Sequence, residues 1–401
     1  MKNAKSAFSN QGRFFTAKFA LLTLHFAMTF GLLFPYLSLA QPPLKVGALV
    51  PFSGRWGDSG RECAKGMLDA ARWLNQRGGL HGTKVDVLVI DDVSQPAETI
   101  AAFRRLNETD QALVLYVYSA ETGAALLPHI HYHRLPTFLR SLPSHLSDAA
   151  KYPYLFAVLP NPIDLSKIGL KFLSQNSGVK GRKPKILFMG SSDQLGRDFL
   201  REAREHSISM GFDVGEEIWM DLGTQIPSAQ FSGVNRFNPD FVYLSAPSKE
   251  AATVLQEMRG TDSRATWLCN DKAFDENLHP FDGVLGVQPV SPFGEDVPGM
   301  AVVKEGHQRW HPYDSHTLSY VEGWASIQVI SEALDRSLPA QGFSRERVKA
   351  ALEGFKDSVF GGLIPPVTFT SKDHRPSVES RIFMIKDMKI VRHTGFISAE
   401  R

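Results

Sequence analysis

The sequence predicts an α/β fold built as two lobes, and three observations carry that prediction. Strand-length apolar runs alternate with amphipathic helices along most of the chain. The alternation starts afresh after the break Leu159-Pro160-Asn161-Pro162. The 401 residues leave room for two domains of ordinary size even after an N-terminal leader is removed. A β/α order of this kind implies a mostly parallel sheet covered by helices on both faces.

The first unit is a buried strand at Val46–Val50, a polar loop at Pro51–Asp58 and a long helix that Ser59 can cap. Gly78 and Gly79 stop that helix. A strand at Thr83–Asp91, a helix at Pro96–Asn107, a strand at Ala112–Tyr118, a helix at Glu121–His133 and a short strand at Leu135–Leu139 follow. After the break come a helix near Leu165–Gln175, a strand at Pro184–Gly190, a helix at Arg197–Met210 and a strand at Asp213–Met220. Next are a helix at Ser228–Arg236, a strand at Asp240–Ser245, a helix at Ser248–Arg259 and a strand at Ala265–Cys269. The Pro/Gly-rich stretch Gly286–Gly299 reads as a crossing between lobes, because helical patterns at Met300–Leu338 and Phe343–Phe355 follow it. The chain ends in β-like pieces at Val367–Thr370 and Glu379–Ile390.

Residues 1–40 carry Lys2, Lys5, Arg13 and Lys18 and no acid, an apolar core from Phe19 to Phe34, and a small-x-small ending at Ser38-Leu39-Ala40. That is a secretory signal peptide with Gln41 as the new terminus, and it places the protein in the periplasm. No cysteine lies near the cleavage site to take a lipid anchor. The whole chain has 44 basic and 42 acidic residues, and removal of the leader leaves 40 against 42. The mature protein is therefore nearly neutral, with no basic stripe for nucleic acid. The two cysteines, Cys63 and Cys269, fall in different lobes, where a disulfide would lock any hinge, so both are expected free and buried.

His129 and His133 have the i, i+4 spacing of a helical metal pair, but no third ligand accompanies them and last-turn histidines suit a helix dipole. Phosphate loops, dinucleotide fingerprints, zinc-protease helices and nucleophile elbows are absent. The chain calls for no cofactor and no catalytic residue.

The opening Leu44–Gly82, LKVGALVPFSGRWGDSGRECAKGMLDAARWLNQRGGLHG, resembles the start of the branched-chain amino acid binding proteins of ABC importers, a V.P.SG…G pattern, a long helix and GG(I/L).G. The resemblance covers essentially Leu44–Arg401. It implies the type I periplasmic binding fold, two Rossmann-like lobes joined by a multi-crossing hinge. By that likeness residues 44–160 and 289–356 form one lobe and residues 161–288 and 357–401 the other. A small solute sits in the crevice, contacted by loops after strand ends and by helix N-termini.

The resemblance also names site residues. Ser119, after a strand in Tyr118-Ser119-Ala120-Glu121-Thr122, matches a serine that binds the ligand carboxylate; Ser119 and Thr122 are otherwise helix caps. Trp56, just before Gly57-Asp58, matches an aromatic that walls the ligand, or else it covers its own lobe's core. Phe52 and Ser53 share its loop. Asp271 stands where amino acid binders carry an acid facing the ligand ammonium, and is otherwise a turn residue. Leu195-Gly196 replaces a usual Tyr-Gly, and Ser245-Ala246-Pro247 follows the next strand. The largest departure is Arg140-Ser141-Leu142-Pro143-Ser144, where the family has a Gly/Ser-Ala-Thr segment. Arg140 either clamps a second carboxylate or pairs with an acid at the surface, and donors around Ser141 and Leu142 help hold the ligand. Tyr320–Trp324 also resembles a family segment, read here as helix packing.

The function so implied is that of a monomeric receptor handing a small carboxylate-bearing solute, an amino acid or related organic acid, to an ABC permease and its ATPase. The missing threonine argues against leucine, isoleucine and valine. Two alternatives stand beside it: a sensor of the same fold coupled to a regulatory partner, and a secreted α/β hydrolase or lyase.

Overall fold

In the computed structural model, residues 42–221, 228–259, 264–337 and 344–400 are described, and the leader lies outside them. The first sheet opens with β1 (Leu44–Leu49), a 3-10 turn at Gly54–Trp56 and helix α1 (Gly57–Gln76). It continues through β2 (Val85–Ile90), α2 (Pro96–Arg104), β3 (Val114–Val117), α3 (Ala120–Ala125), α4 (Leu127–His133), β4 (Thr137–Ser141) and β5 (Leu155–Leu159). The strands run parallel in the order β2-β1-β3-β4-β5. Successive strand residues face opposite sides, so each face of the sheet acquires its own core. Val46, Ala48 and Tyr116 pack into one cluster, and Leu49, Leu115 and Val117 into the other.

The second sheet draws on α5 (Pro162–Gln175), β6 (Lys185–Ser191), α6 (Gln194–Ser209), β7 (Asp213–Val214), β8 (Ile218–Met220), α7 (Ser228–Phe237), β9 (Phe241–Ser245), α8 (Ser248–Met258), β10 (Thr266–Cys269) and β11 (Leu285–Gln288). The chain then forms α9 (Met300–Trp310), α10 (Leu318–Arg336) and α11 (Arg345–Glu353). It ends in β12 (Glu379–Lys386), β13 (Lys389–Arg392) and β14 (Ile397–Ser398). The sheet path is β13-β12-β11-β10-β9-β6-β7, parallel from β11 onward and antiparallel where β12 and β13 join.

Several local expectations are corrected. Helix α1 starts at Gly57 with Trp56 as its cap, so Ser59 sits inside the first turn and caps nothing. Gly78 and Gly79 do end the glycine turn, at φ +100° and +69°. The helix expected at Glu121–His133 is two helices, because Pro128 has no N–H to donate across the join at Leu126. Strand β5 is not among the expected strands, and β11 runs into the start of the stretch read as a crossing. Met300–Leu338 divides at the Pro312 turn, and Val367–Thr370 makes only isolated bridges. Phe360, Leu363, Ile364, Val367 and Phe369 share the core of β1 and α10, although residues 357–401 were expected with the second sheet.

Two glycines set the closest helix contact. A Cβ on Gly66 of α1 would stand 2.0 Å from the Tyr320 carbonyl oxygen, and one on Gly323 of α10 would stand 1.9 Å from that of Cys63. Backbones approach this closely only without side chains between them. Cys63 and Cys269 are both free and buried, and burial pushes both thiols up.

Candidate functional site

A cavity of about 210 Å³ lies among loops that follow strands of both sheets. Trp56 reaches it from the turn after β1, Tyr118 from the end of β3, and Arg140 from β4. From the other side come Asp271 and Lys272 after β10, and Gln288 from β11. The second turn of α10 adds Glu322. Loops at the carboxyl ends of parallel strands are where open α/β sheets bind ligands.

At its floor Arg140 is buried between two carboxylates. Its Nη1 donates to Asp271 Oδ2 at 2.7 Å, and its Nε faces Glu322 Oε1 at 2.8 Å. The three residues are only 5%, 7% and 4% exposed. Burial alone would lower the guanidinium's pKa, but Glu322 and Asp271 outweigh it and hold the pKa well above its ordinary value. Asp271 belongs to a firmly built loop. Gln288 Nε2 donates to the carbonyls of Asp271 and Phe274 at 3.1 Å each, and Asn270 Oδ1 accepts from the Ala273 N–H at 2.9 Å.

Lys272 is placed differently. Its ammonium lies 4.4 Å from the centre of the Tyr118 ring and 4.8 Å from that of Trp56, and donates to Tyr118 Oη at 3.3 Å. Burial, and then the nearby Arg140 charge, push its pKa down to about 7. Among the described residues Lys272 has no carboxylate in ion-pair contact. Its setting is therefore an aromatic cation site whose charge lacks a direct counter-ion.

Around the rim, Lys249 pairs with Asp58, and Arg55 Nη1 meets Asp193 Oδ2 at 3.2 Å, both pairs exposed. Glu276 Oε1 accepts the Leu318 N–H at 2.6 Å where α10 begins. Burial, and then the neighbouring Asp275, push its carboxyl up to about 8.

Of the residues singled out from sequence, Trp56, Arg140, Asp271 and Pro247 line the cavity, and Ser119, Thr122, Phe52, Ser53, Ser141 and Leu142 do not. Ser119 caps α3, accepting from the Thr122 N–H at 3.5 Å, while the buried Thr122 hydroxyl donates to Asp92 Oδ2 at 3.1 Å. Leu142 packs in the apolar cluster with Leu146, and Ser141 closes β4. Phe52 donates its N–H to Asp91 Oδ1 at 3.0 Å and packs on the first core, and Ser53 leads into the 3-10 turn. The Asp271 carboxylate, expected to face a ligand ammonium, is instead engaged by Arg140. Arg140 itself is neither at the surface nor open to a second ligand carboxylate on its Nε and Nη1 edges. Gly196 supplies an N–H to Asp193 at 2.8 Å, and Pro247 lines the cavity. His133 Nδ1 lies 3.2 Å from Asn107 Nδ2, and His129 packs on Phe103, away from the cavity.

Sequence reasoning missed Lys272, Tyr118, Gln288 and Glu322. Lys272 and Tyr118 are one residue from Asp271 and Ser119: both Asp271 and Lys272 line the cavity, whereas at the other loop Tyr118 does and Ser119 does not. Glu322 sat in the segment read as packing.

Two sheets offering strand-end loops to a shared polar cavity define a two-lobed binding protein. The chain belongs to the periplasmic binding protein family, whose sequence profile matches residues 43–389. An "Amino acid binding protein" of Pseudomonas aeruginosa is 23% identical over 317 residues, 72% of this chain and 78% of that protein. A branched-chain amino acid ABC transporter structure from Thermus thermophilus with bound valine superposes with a TM-score of 0.81 at 18% identity, covering 90% of this chain and 97% of that one. A fatty acid ABC transporter substrate-binding protein from Thermomonospora curvata gives 0.79 at 18%, covering 90% and 93%. At these identities the likeness shows the fold. Among the described residues no helix is long and apolar enough to cross a membrane.

Proposed function

We propose that this protein is the periplasmic receptor of an ABC importer and that its solute is a small organic acid with no cationic amine. The observation that carries the reading is the contrast between Lys272 and Asp271. The cavity holds a cation between two aromatic rings with no direct counter-ion, whereas its deepest carboxylates already face Arg140. A ligand carboxylate would complete Lys272, and Trp56 and Tyr118 would cover the ligand's apolar part. An ammonium would have to compete with a buried guanidinium. Valine and fatty acids, named for two structures of the same fold, both carry a carboxylate, which is the common demand on such a site.

Function then rests on closure. A solute bridging Trp56 on one side and Lys272 on the other binds the closed form better than the open one, and that difference in affinity shifts the population toward the form a permease accepts. The receptor works as a monomer without catalysing a reaction, after cleavage behind Ala40. Its lobes are residues 44–160 with 289–374, and residues 161–288 with the tail, the last crossing following His374 because that ring stacks on Phe156 of β5.

Thermal denaturation of ligand-stripped mature protein against panels of carboxylates, amino acids, amides and alcohols tests this. One class of small carboxylates should raise the melting temperature, by about 2.7 kcal/mol of stabilisation at a hundredfold excess over Kd. No shift from any carboxylate would overturn the reading.

A further inference from the structure

Two lysines line the cleft cavity, and they are held in opposite ways. Lys249 pairs with Asp58 at the exposed rim. Lys272 is half-buried, with its amine 4.4 Å and 4.8 Å from the centres of the Tyr118 and Trp56 rings. Its polar partner is a phenol, Tyr118 Oη at 3.3 Å, while the carboxylates of Asp271 and Glu322 are turned to Arg140. The backbone on either side of Lys272 is fixed, because Gln288 Nε2 holds the Asp271 carbonyl and Asn270 Oδ1 holds the Ala273 N–H. The amine is thus presented to the cavity from a rigid loop.

An amine held in this way is a nucleophile as well as a cation. An ammonium has no lone pair, and an ordinary lysine keeps its proton well above neutral pH. At Lys272, desolvation and then the neighbouring Arg140 charge favour the free amine and bring the pKa down to about 7. Lysines desolvated beside a second cation are the ones that form Schiff bases with carbonyl compounds. Tyr118 supplies the proton that such a step needs. Burial, and then Glu322, hold its pKa well above the ordinary value, so the phenol stays protonated within reach of Lys272 Nζ.

We infer that Lys272 captures a 2-oxo acid covalently and reversibly, as an imine, with Tyr118 as the proton donor. This rests on the carboxylate reading of the cleft given above, and adds to it a ketone carbon beside the carboxylate. The Lys272 nitrogen lone pair attacks the ketone carbon, the C=O π pair moves to oxygen, and that oxygen takes a proton from the nitrogen. Tyr118 then protonates the resulting hydroxyl, the C–O bond breaks with loss of water, and the nitrogen lone pair forms the C=N bond. The phenolate recovers its proton from solvent, so one amine, one oxo acid and one proton become a protonated imine and one water. Nothing is oxidised or reduced. The protonated imine keeps a positive charge beside the solute carboxylate, and the reverse steps release the solute unchanged.

The test incubates ligand-stripped mature protein near neutral pH with millimolar pyruvate or phenylpyruvate and sodium cyanoborohydride, which reduces an imine to a stable secondary amine. Lactate and 3-phenyllactate, which lack the ketone, are the controls, and intact mass with peptide mapping reads the product. One adduct per chain should form on Lys272, at least tenfold faster than on any other lysine, Lys249 included, and none with the hydroxy acids. Excess 3-phenylpropionate should suppress it, Lys272→Met should abolish it, and Tyr118→Phe should slow it at least tenfold. Without the reductant, dialysis should return the protein at its original mass. Labelling spread evenly over the lysines, or an unlabelled Lys272, overturns covalent capture. If calorimetry then still shows 3-phenylpropionate binding, the carboxylate receptor stands and the imine alone falls; if it shows none, both fall. A Tyr118→Phe variant that forms the adduct as fast as the parent overturns the role given to Tyr118.

Discussion

Arg140 Nη1 and Asp271 Oδ2 stand 2.7 Å apart, joining the end of β4 in one sheet to the loop after β10 in the other. The contact is buried at both ends and shared with Glu322, so one guanidinium answers two carboxylates in a place with little water. Such a cluster contributes less to net stability than to holding a geometry, since desolvation offsets most of the attraction. On the function proposed above, its effect on the cleft is selective: it withdraws Asp271 from a ligand and leaves Lys272 as the cation on offer.

Removing Arg140 alone should be severe. Arg140→Met strands two buried carboxylates, and unfolding in urea should show a loss of about 3–5 kcal/mol. Combining Arg140→Met with Asp271→Leu and Glu322→Leu should recover most of that loss. A triple variant no more stable than Arg140→Met would show that the cluster is not a self-contained ion group.

Lys272 should make stability rise with pH. Its folded pKa of about 7 lies below the ordinary 10.5, so between those values the unfolded chain binds the additional proton and unfolding becomes harder as pH rises. Below about 7 the full cost of the half-buried ammonium remains. Comparing unfolding free energies of the parent and Lys272→Met from pH 6 to 10 should show the parent gaining on the variant as pH rises. A constant difference would contradict the half-buried placement beside Arg140.

Glu276 should act in the opposite direction. Its carboxyl is raised from 4.5 to about 8, so over that window the folded protein holds the proton more firmly and stability falls as pH rises. Glu276→Gln keeps an acceptor for the Leu318 N–H. The variant should match the parent near pH 5 and exceed it near pH 8 in thermal melts.

The α1–α10 contact tolerates no side chain at its two closest points. Gly66→Ala and Gly323→Ala each drive a methyl into a backbone carbonyl and should each cost about 3 kcal/mol or more in urea unfolding. Gly211→Ala meets no neighbouring atom but sits at φ +88°, so its smaller loss, from backbone strain alone, is the control.

The alternation of elements was legible because parallel strands are short apolar runs between helices with clear periodicity, as Val46–Val50 and its following helix show. β5 and β11 escaped for opposite reasons. Leu155–Leu159 is wholly apolar but sits against the Pro160 break that drew attention to itself. Leu285–Gln288 contains Gly286, which looks like a linker residue yet is a strand position where the Phe274 ring fills the space a side chain would take. In the site, strand-end reasoning found the right loops. It could not tell Ser119 from Tyr118, because adjacent residues point to opposite sides and only tertiary packing decides which faces the cavity, and it took Asp271 without Lys272, although both line it. Arg140 and Glu322 lie 182 residues apart, a pairing no local pattern records.

The most direct test is isothermal titration of ligand-stripped protein with matched pairs that differ only in the amine, 3-phenylpropionate against phenylalanine and isovalerate against valine, repeated on Lys272→Met. We expect an acid to bind at least tenfold more tightly than its amino acid partner, with proton uptake above pH 7 as Lys272 is recharged, and with binding lost in Lys272→Met. Tighter binding of the amino acids, or acid binding unchanged in Lys272→Met, would contradict the account.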